Sequence, residues 1–187
     1  KYETAVKRNE ASTISRRWSE FSMRFKEVLK QKTTWFGLLF ALFSAAGFEA
    51  VGAVAGPYMI DRGISGERVG FFFAVPVVGG MLSGALIGGY VSDRIGRRRS
   101  VAIFLVLFVV DITALAASDG MLGSESGWWI VALLATLYFF IGMFTASSYA
   151  LFMDITNPQL GATQFSAYMG ATNGCESWAT AAVGTLH

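Results

Sequence analysis

The sequence predicts an all-α integral membrane protein, with five transmembrane helices preceded by a basic amphipathic helix. Three observations predict it. Apolar runs of helical length recur along the chain, and 53% of the residues are hydrophobic. Only 15% are charged, against roughly 25% in soluble domains. The charges gather in short segments between the runs rather than along them. Transmembrane strands are excluded, because the runs are too long and do not alternate.

Residues 1–33 form the first unit, a linker. Nine of the fifteen Lys and Arg residues precede Thr33, beside four glutamates. From Ile14 onward, Ile14, Trp18, Phe21, Phe25, Val28 and Leu29 share one helical face. Arg16, Arg17, Arg24, Lys26 and Lys30 sit largely off it. A basic helix of this kind lies in the lipid headgroup layer, or packs on the rest of the protein. Its charge does not call for nucleic acid as a partner, since anionic lipid lies closer.

Residues 34–187 form the second unit. A bilayer core of about 30 Å takes about 20 helical residues to cross. The first run, Trp35–Tyr58, closes at Pro57 and is followed by the turn Asp61-Arg62-Gly63. The second is Val69–Val91, with Ser65 as a candidate N-cap. Its Gly80-x-x-x-Gly84-x-x-x-Gly88 pattern, flanked by Gly79 and Ser83, lets a neighbouring backbone approach closely. The third run is Val101–Ser118, followed by a polar loop, Asp119–Gly127. The fourth, Trp128–Met153, opens on a tryptophan pair suited to the membrane interface. A break at Asp154–Leu160 carries the turn signal Asn157-Pro158. The fifth run, Gly161–Leu186, is the least hydrophobic.

Loop charge predicts the orientation. The N-terminal segment and the Ser92–Ser100 loop are both rich in Lys and Arg, and two crossings separate them. Both therefore face the cytoplasm by the positive-inside rule, and the loop after Ser118, which has no Lys or Arg, faces outward. The chain starts at Lys1 and stops inside an apolar run after an odd number of crossings. That predicts a piece of a longer protein, cut before a sixth crossing.

Polar groups at membrane depth are costly and default to functional hypotheses. Glu49 lies just past the middle of the first run, sharing a face with Ala45, Gly52 and Gly56. It reads as a proton-coupling or substrate-contacting carboxylate, or as a hydrogen-bonded structural one. Asp111 reads more simply as a polar contact between helices. Asp154 caps the next helix or closes a cytoplasmic gate. Along the fifth run Gln164, Tyr168, Thr172 and Glu176 recur every four residues, a polar face that points at a pathway or at a helix seam. A milder stripe, Tyr138, Gly142, Thr145 and Tyr149, marks the fourth run. The only histidine is His187, and Cys175 stands alone. No nucleophilic triad, metal-ligand cluster or phosphate-binding loop can be assembled. The sequence therefore predicts no enzyme, no cofactor and no metal.

The loop between the second and third runs carries a resemblance. Gly89-x-x-x-Asp93-Arg94-x-Gly96-Arg97-Arg98 is similar to the cytoplasmic signature loop of the major facilitator superfamily, with Val91 where Leu is frequent. Gly89 is expected to allow close helix approach, Gly96 a tight turn, and Asp93 to cap or pair with the neighbouring helix end. The basic leader resembles the linker between the two halves of that family. Asp61–Ser65 with Val69-Gly70, and Gly161–Phe165, resemble the C-terminal half of the muropeptide permease and acetyl-coenzyme A transporter branch. The resemblance implies a secondary transporter in a bacterial inner membrane. It works by alternating access on a small-molecule substrate, is coupled to protons, and is completed by an N-terminal half. It places Glu49, Tyr138, Thr145 and Tyr149 near substrate and makes the loop a conformational latch. The open alternative is a non-transporting receptor or assembly module of the same fold.

Overall fold

The computed structural model describes residues 18–122 and 127–185. Ile14, Arg16 and Arg17 of the expected amphipathic helix, the centre of the loop after the third run and Leu186 lie outside them. Every element among the described residues is helical. The order is α1 (18–30), α2 (Lys32–Phe43), α3 (Ala46–Asp61), α4 (Gly66–Phe72), a π-helical turn (Phe73–Val77), α5 (Val78–Ile95), α6 (Arg97–Leu122), α7 (Gly127–Ile155), a 3₁₀ turn (Pro158–Leu160) and α8 (Gly161–Gly184). Four stretches are long and apolar enough to cross a membrane: Lys32–Asp61, Gly66–Ile95, Arg97–Ser118 and Trp128–Ile155. At 24 residues α8 reaches about 36 Å, but its polar stripe keeps it out of that group.

The first run is broken, which its hydropathy does not reveal. α2 and α3 meet at the turn Ser44–Ala45. There the ladder tightens, with Phe48 N–H donating to Ala45 O at 3.1 Å. Ser44-Ala45-Ala46-Gly47 offers no bulky side chain to stiffen the turn. Pro57 does not end the run. α3 passes through it to Asp61 and closes in a Schellman arrangement, with Gly63 N–H on Ile60 O (2.8 Å) and Ile64 N–H on Met59 O (3.0 Å). Gly63 takes the positive φ of 79° that this cap demands.

Ser65 does sit at the start of α4 in extended conformation, though its hydroxyl makes no capping bond. Pro76 lies in the π-helical turn. Proline donates no N–H and crowds the carbonyl four residues back, so a locally widened turn accommodates it. The polar loop after α6 is shorter than expected, because α6 continues to Leu122.

α7 is the central helix. α5 and α6 pack on one side of it, while α8 packs along α2 and α3. A Cβ at Gly80 would stand 3.3 Å from Ala135 O, and one at Gly84 would overlap Phe139 O. One at Gly88 would lie 2.5 Å from Met143 Cα. From the other helix, Gly142 meets the backbone of Met81. Rows spaced by four residues on both helices thus interlock backbone to backbone.

α1 leaves its aromatic edge uncovered. Trp18 is 67% exposed, and Phe21 and Phe25 stack beside it. Its C-terminal carbonyls are held by the next helix: Thr34 Oγ1 donates to Val28 O (2.9 Å) and Trp35 Nε1 to Leu29 O (2.8 Å).

Candidate functional site

The break in the first run makes a cavity. About 160 Å³ opens beside Ser44, Ala45 and Phe48, walled by Met81 of α5, by Ile141, Phe144 and Tyr149 of α7, and by Thr172 of α8. Glu49, Thr145 and Ser148 also line it. Four of the residues singled out in the sequence therefore meet at one place: Glu49, Thr145, Tyr149 and Thr172. Glu49 is half-buried. Ser148 is buried and its Oγ has no partner among the described residues.

α8 holds the break in place. The last carbonyls of α2 lose their helical donors. Trp178 Nε1 replaces one of them by donating to Leu42 O at 2.9 Å, and its ring packs on Phe43. Cys175, three residues before Trp178 on the same helix, is wholly buried.

The remaining residues of the polar stripes go elsewhere. Gln164 and Tyr168 are sealed in the protein, 4% and 0% exposed. The Gln164 amide donates to Thr34 Oγ1 (3.1 Å) and Tyr168 Oη (2.8 Å), and its carbonyl accepts from Asn157 N–H (2.8 Å). This junction ties the α1–α2 corner to the α7–α8 turn. Tyr168 also lies against Gly37, where a Cβ would come within 2.7 Å of its ring. Tyr138 joins an aromatic cluster with Phe72 and Phe73. Glu176 is exposed. Gly142 belongs to the α5 seam. Asp111 is 7% exposed, and its Oδ2 has no partner among the described residues.

The signature loop is held by one residue. Gly96 links α5 to α6 alone, with φ 92° and ψ 135°, a conformation that glycine tolerates. Arg97 Nη1 donates to Ala150 O at 2.9 Å and pairs with Asp154 near the end of α7. Asp93 reaches only Arg97, at 3.7 Å, and is largely exposed. Arg94 lies over the Tyr90 ring at 4.5 Å. Arg98 faces a groove with Phe36, Phe40 and Leu151. Asp93 pairs with Arg97 at the start of α6, and Arg97 carries the contact on to α7. Two expectations shift. Asp154 pairs with Arg97 instead of capping the next helix, and Asn157 caps the 3₁₀ turn through Gln159 N–H (2.9 Å). Gly89 has open space around it, and Gly88 makes the close approach, since one residue along a helix turns the face by about 100°.

Sequence reasoning passed over Ser44, Ser148 and Thr34. Ser148 follows Thr145 by three residues, a helical spacing that pointed to it. Thr34 gave no local sign, because its partner lies 130 residues away.

Fold and site together define an integral membrane protein with a cavity among its helices that a carboxyl and several hydroxyls line. The sequence profile of the Major Facilitator Superfamily matches residues 2–182, and the chain belongs to that family. Its members are transporters, not enzymes. Comparison with curated proteins and with solved structures returned no significant match.

Proposed function

We propose that this chain is the C-terminal half of a secondary transporter that moves a small solute by alternating access, driven by protons that Glu49 takes up and releases. In this reading α8 is the fifth crossing, residues 1–33 are the cytoplasmic linker, and the Ser92–Ser100 loop lies on the same side, in the inner membrane of a bacterium. α1 rests on the headgroups, and an N-terminal half closes the other wall of the pathway. The observation that carries the proposal is the meeting of Glu49, Thr145, Tyr149 and Thr172 at a cavity beside a broken helix. Irregular backbone at membrane depth is tolerated where it lines a cavity, and a carboxyl there is a ready proton site.

Uptake into membrane vesicles under an imposed proton gradient tests this. Glu49→Gln should abolish gradient-driven accumulation while downhill exchange at saturating solute persists. Accumulation that still follows the gradient in this variant removes Glu49 from coupling. The resemblance to the muropeptide permease and acetyl-coenzyme A transporter branch is tested in the same assay with peptidoglycan fragments, sugars and coenzyme A esters. The receptor or assembly reading needs the Gly80–Gly88 seam free for a second copy, and α7 of the same chain occupies that seam.

A further inference from the structure

The charge at membrane depth in this chain has one sign. Glu49, Asp111 and Glu176 stand inside α3, α6 and α8, whereas α3, α7 and α8 contain no lysine or arginine. Among the described residues no lysine or arginine pairs with Glu49. Four of the other lining residues are aromatic. Phe48 and Phe144 meet edge to face at 6.0 Å, and Tyr149 and Phe152 stack at 6.5 Å. Ser148, only 4% exposed, lines the same space with an unpartnered Oγ.

These observations select among solutes. An anion would meet the Glu49 carboxylate and no counter-charge among the described residues. A wholly apolar solute would leave a half-buried carboxylate and a buried hydroxyl unsatisfied. A cation is attracted both by the carboxylate and by the negative faces of the rings. A hydroxyl or carbonyl next to that cation supplies the partner that Ser148 lacks.

We propose that the cavity between the Ser44–Ala45 turn, α7 and α8 is a subsite for a small organic cation, an alkylammonium group with a neighbouring hydroxyl or carbonyl. This rests on the transport reading above and adds the chemistry of the group that this half recognises.

Equilibrium binding of radiolabelled choline to membrane vesicles containing the protein tests it. Choline should bind saturably. Its neutral isostere 3,3-dimethylbutanol and the anion pivalate should compete at least about tenfold more weakly than unlabelled choline, a comparison that needs no variant. Glu49→Gln should weaken choline by about tenfold or more, and Glu49→Asp should retain most of the binding. Ser148→Ala should weaken choline about threefold and leave tetramethylammonium unchanged. Absence of saturable choline binding, equal competition by pivalate, or indifference to Glu49→Gln would overturn the proposal. Uptake of an uncharged solute without choline binding removes this subsite and leaves transport standing. Choline binding in a protein that moves no solute removes the transport reading and leaves the subsite.

Discussion

Two seams hold this bundle, and they are built in opposite ways. Between α5 and α7 the contact is backbone on backbone: Gly80, Gly84 and Gly88 face Ala135, Phe139 and Met143, and Gly142 faces Met81. Where α8 meets α2 and α3, the contact runs through side chains. Gln164, Tyr168 and Trp178 each make a hydrogen bond to the α2–α3 stretch or to one another. A glycine seam has no rotamers to exchange and one close-packed arrangement. A hydrogen-bonded side-chain seam has discrete alternative pairings, which a rearranging wall requires. The cavity lies on the second seam. We therefore expect α5, α6 and α7 to behave as one body and α8 to be the element that shifts against the broken first span.

The sharpest way to break this comparison is Gly84→Leu. The side chain has no room, since even a Cβ overlaps the Phe139 carbonyl. A cost at or beyond the ~3 kcal/mol end of the overpacking range should follow, with loss of monodisperse protein in size-exclusion chromatography. Gly89→Leu, one residue beyond Gly88 and facing open space, should elute as the parent does. Equal behaviour of the two variants would remove the seam.

Next in size is Gln164→Leu. It strands Tyr168 Oη in the interior, removes the partner of the part-buried Asn157 N–H, and leaves Thr34 Oγ1 with Val28 O alone. Buried groups left unpaired cost about 1–3 kcal/mol each, reduced where they find other partners. Thermal unfolding in detergent should fall by several degrees, and cysteine crosslinks from α8 to α2 should lose their specificity. Crosslinks with an unchanged pattern would mean that the second seam is as rigid as the first.

Arg97→Ala comes third. It removes the bond to Ala150 O and the pair with Asp154. Charge-assisted bonds contribute about 1.5–3 kcal/mol, less where, as here, the pair is partly in water. Transport rate should fall more than apparent affinity. Smallest is Asp93→Asn. Its 3.7 Å contact to Arg97 is exposed, and such pairs contribute at most about 1 kcal/mol. The rate should change by less than in Arg97→Ala, and the reverse order would return the latch role to Asp93.

The sequence by itself determined the helices, their membrane character and the family. Long apolar runs, capping glycines and loop arginines act over one or two helical turns, so they can be read locally. Gly63 and Gly96 were legible for that reason, as was the Gly80–Gly88 row. The tertiary structure alone decided where the first run breaks, because Ser44–Ala45 is apolar enough to pass as a helix until Trp178 is seen to satisfy the end of α2 from α8. It also decided how the polar stripe divides. Gln164 and Tyr168 close onto Thr34, Thr172 faces the cavity, and Glu176 stays exposed. A four-residue period says that residues share a face. Which neighbour that face meets is set by partners more than a hundred residues away, and only packing brings them together.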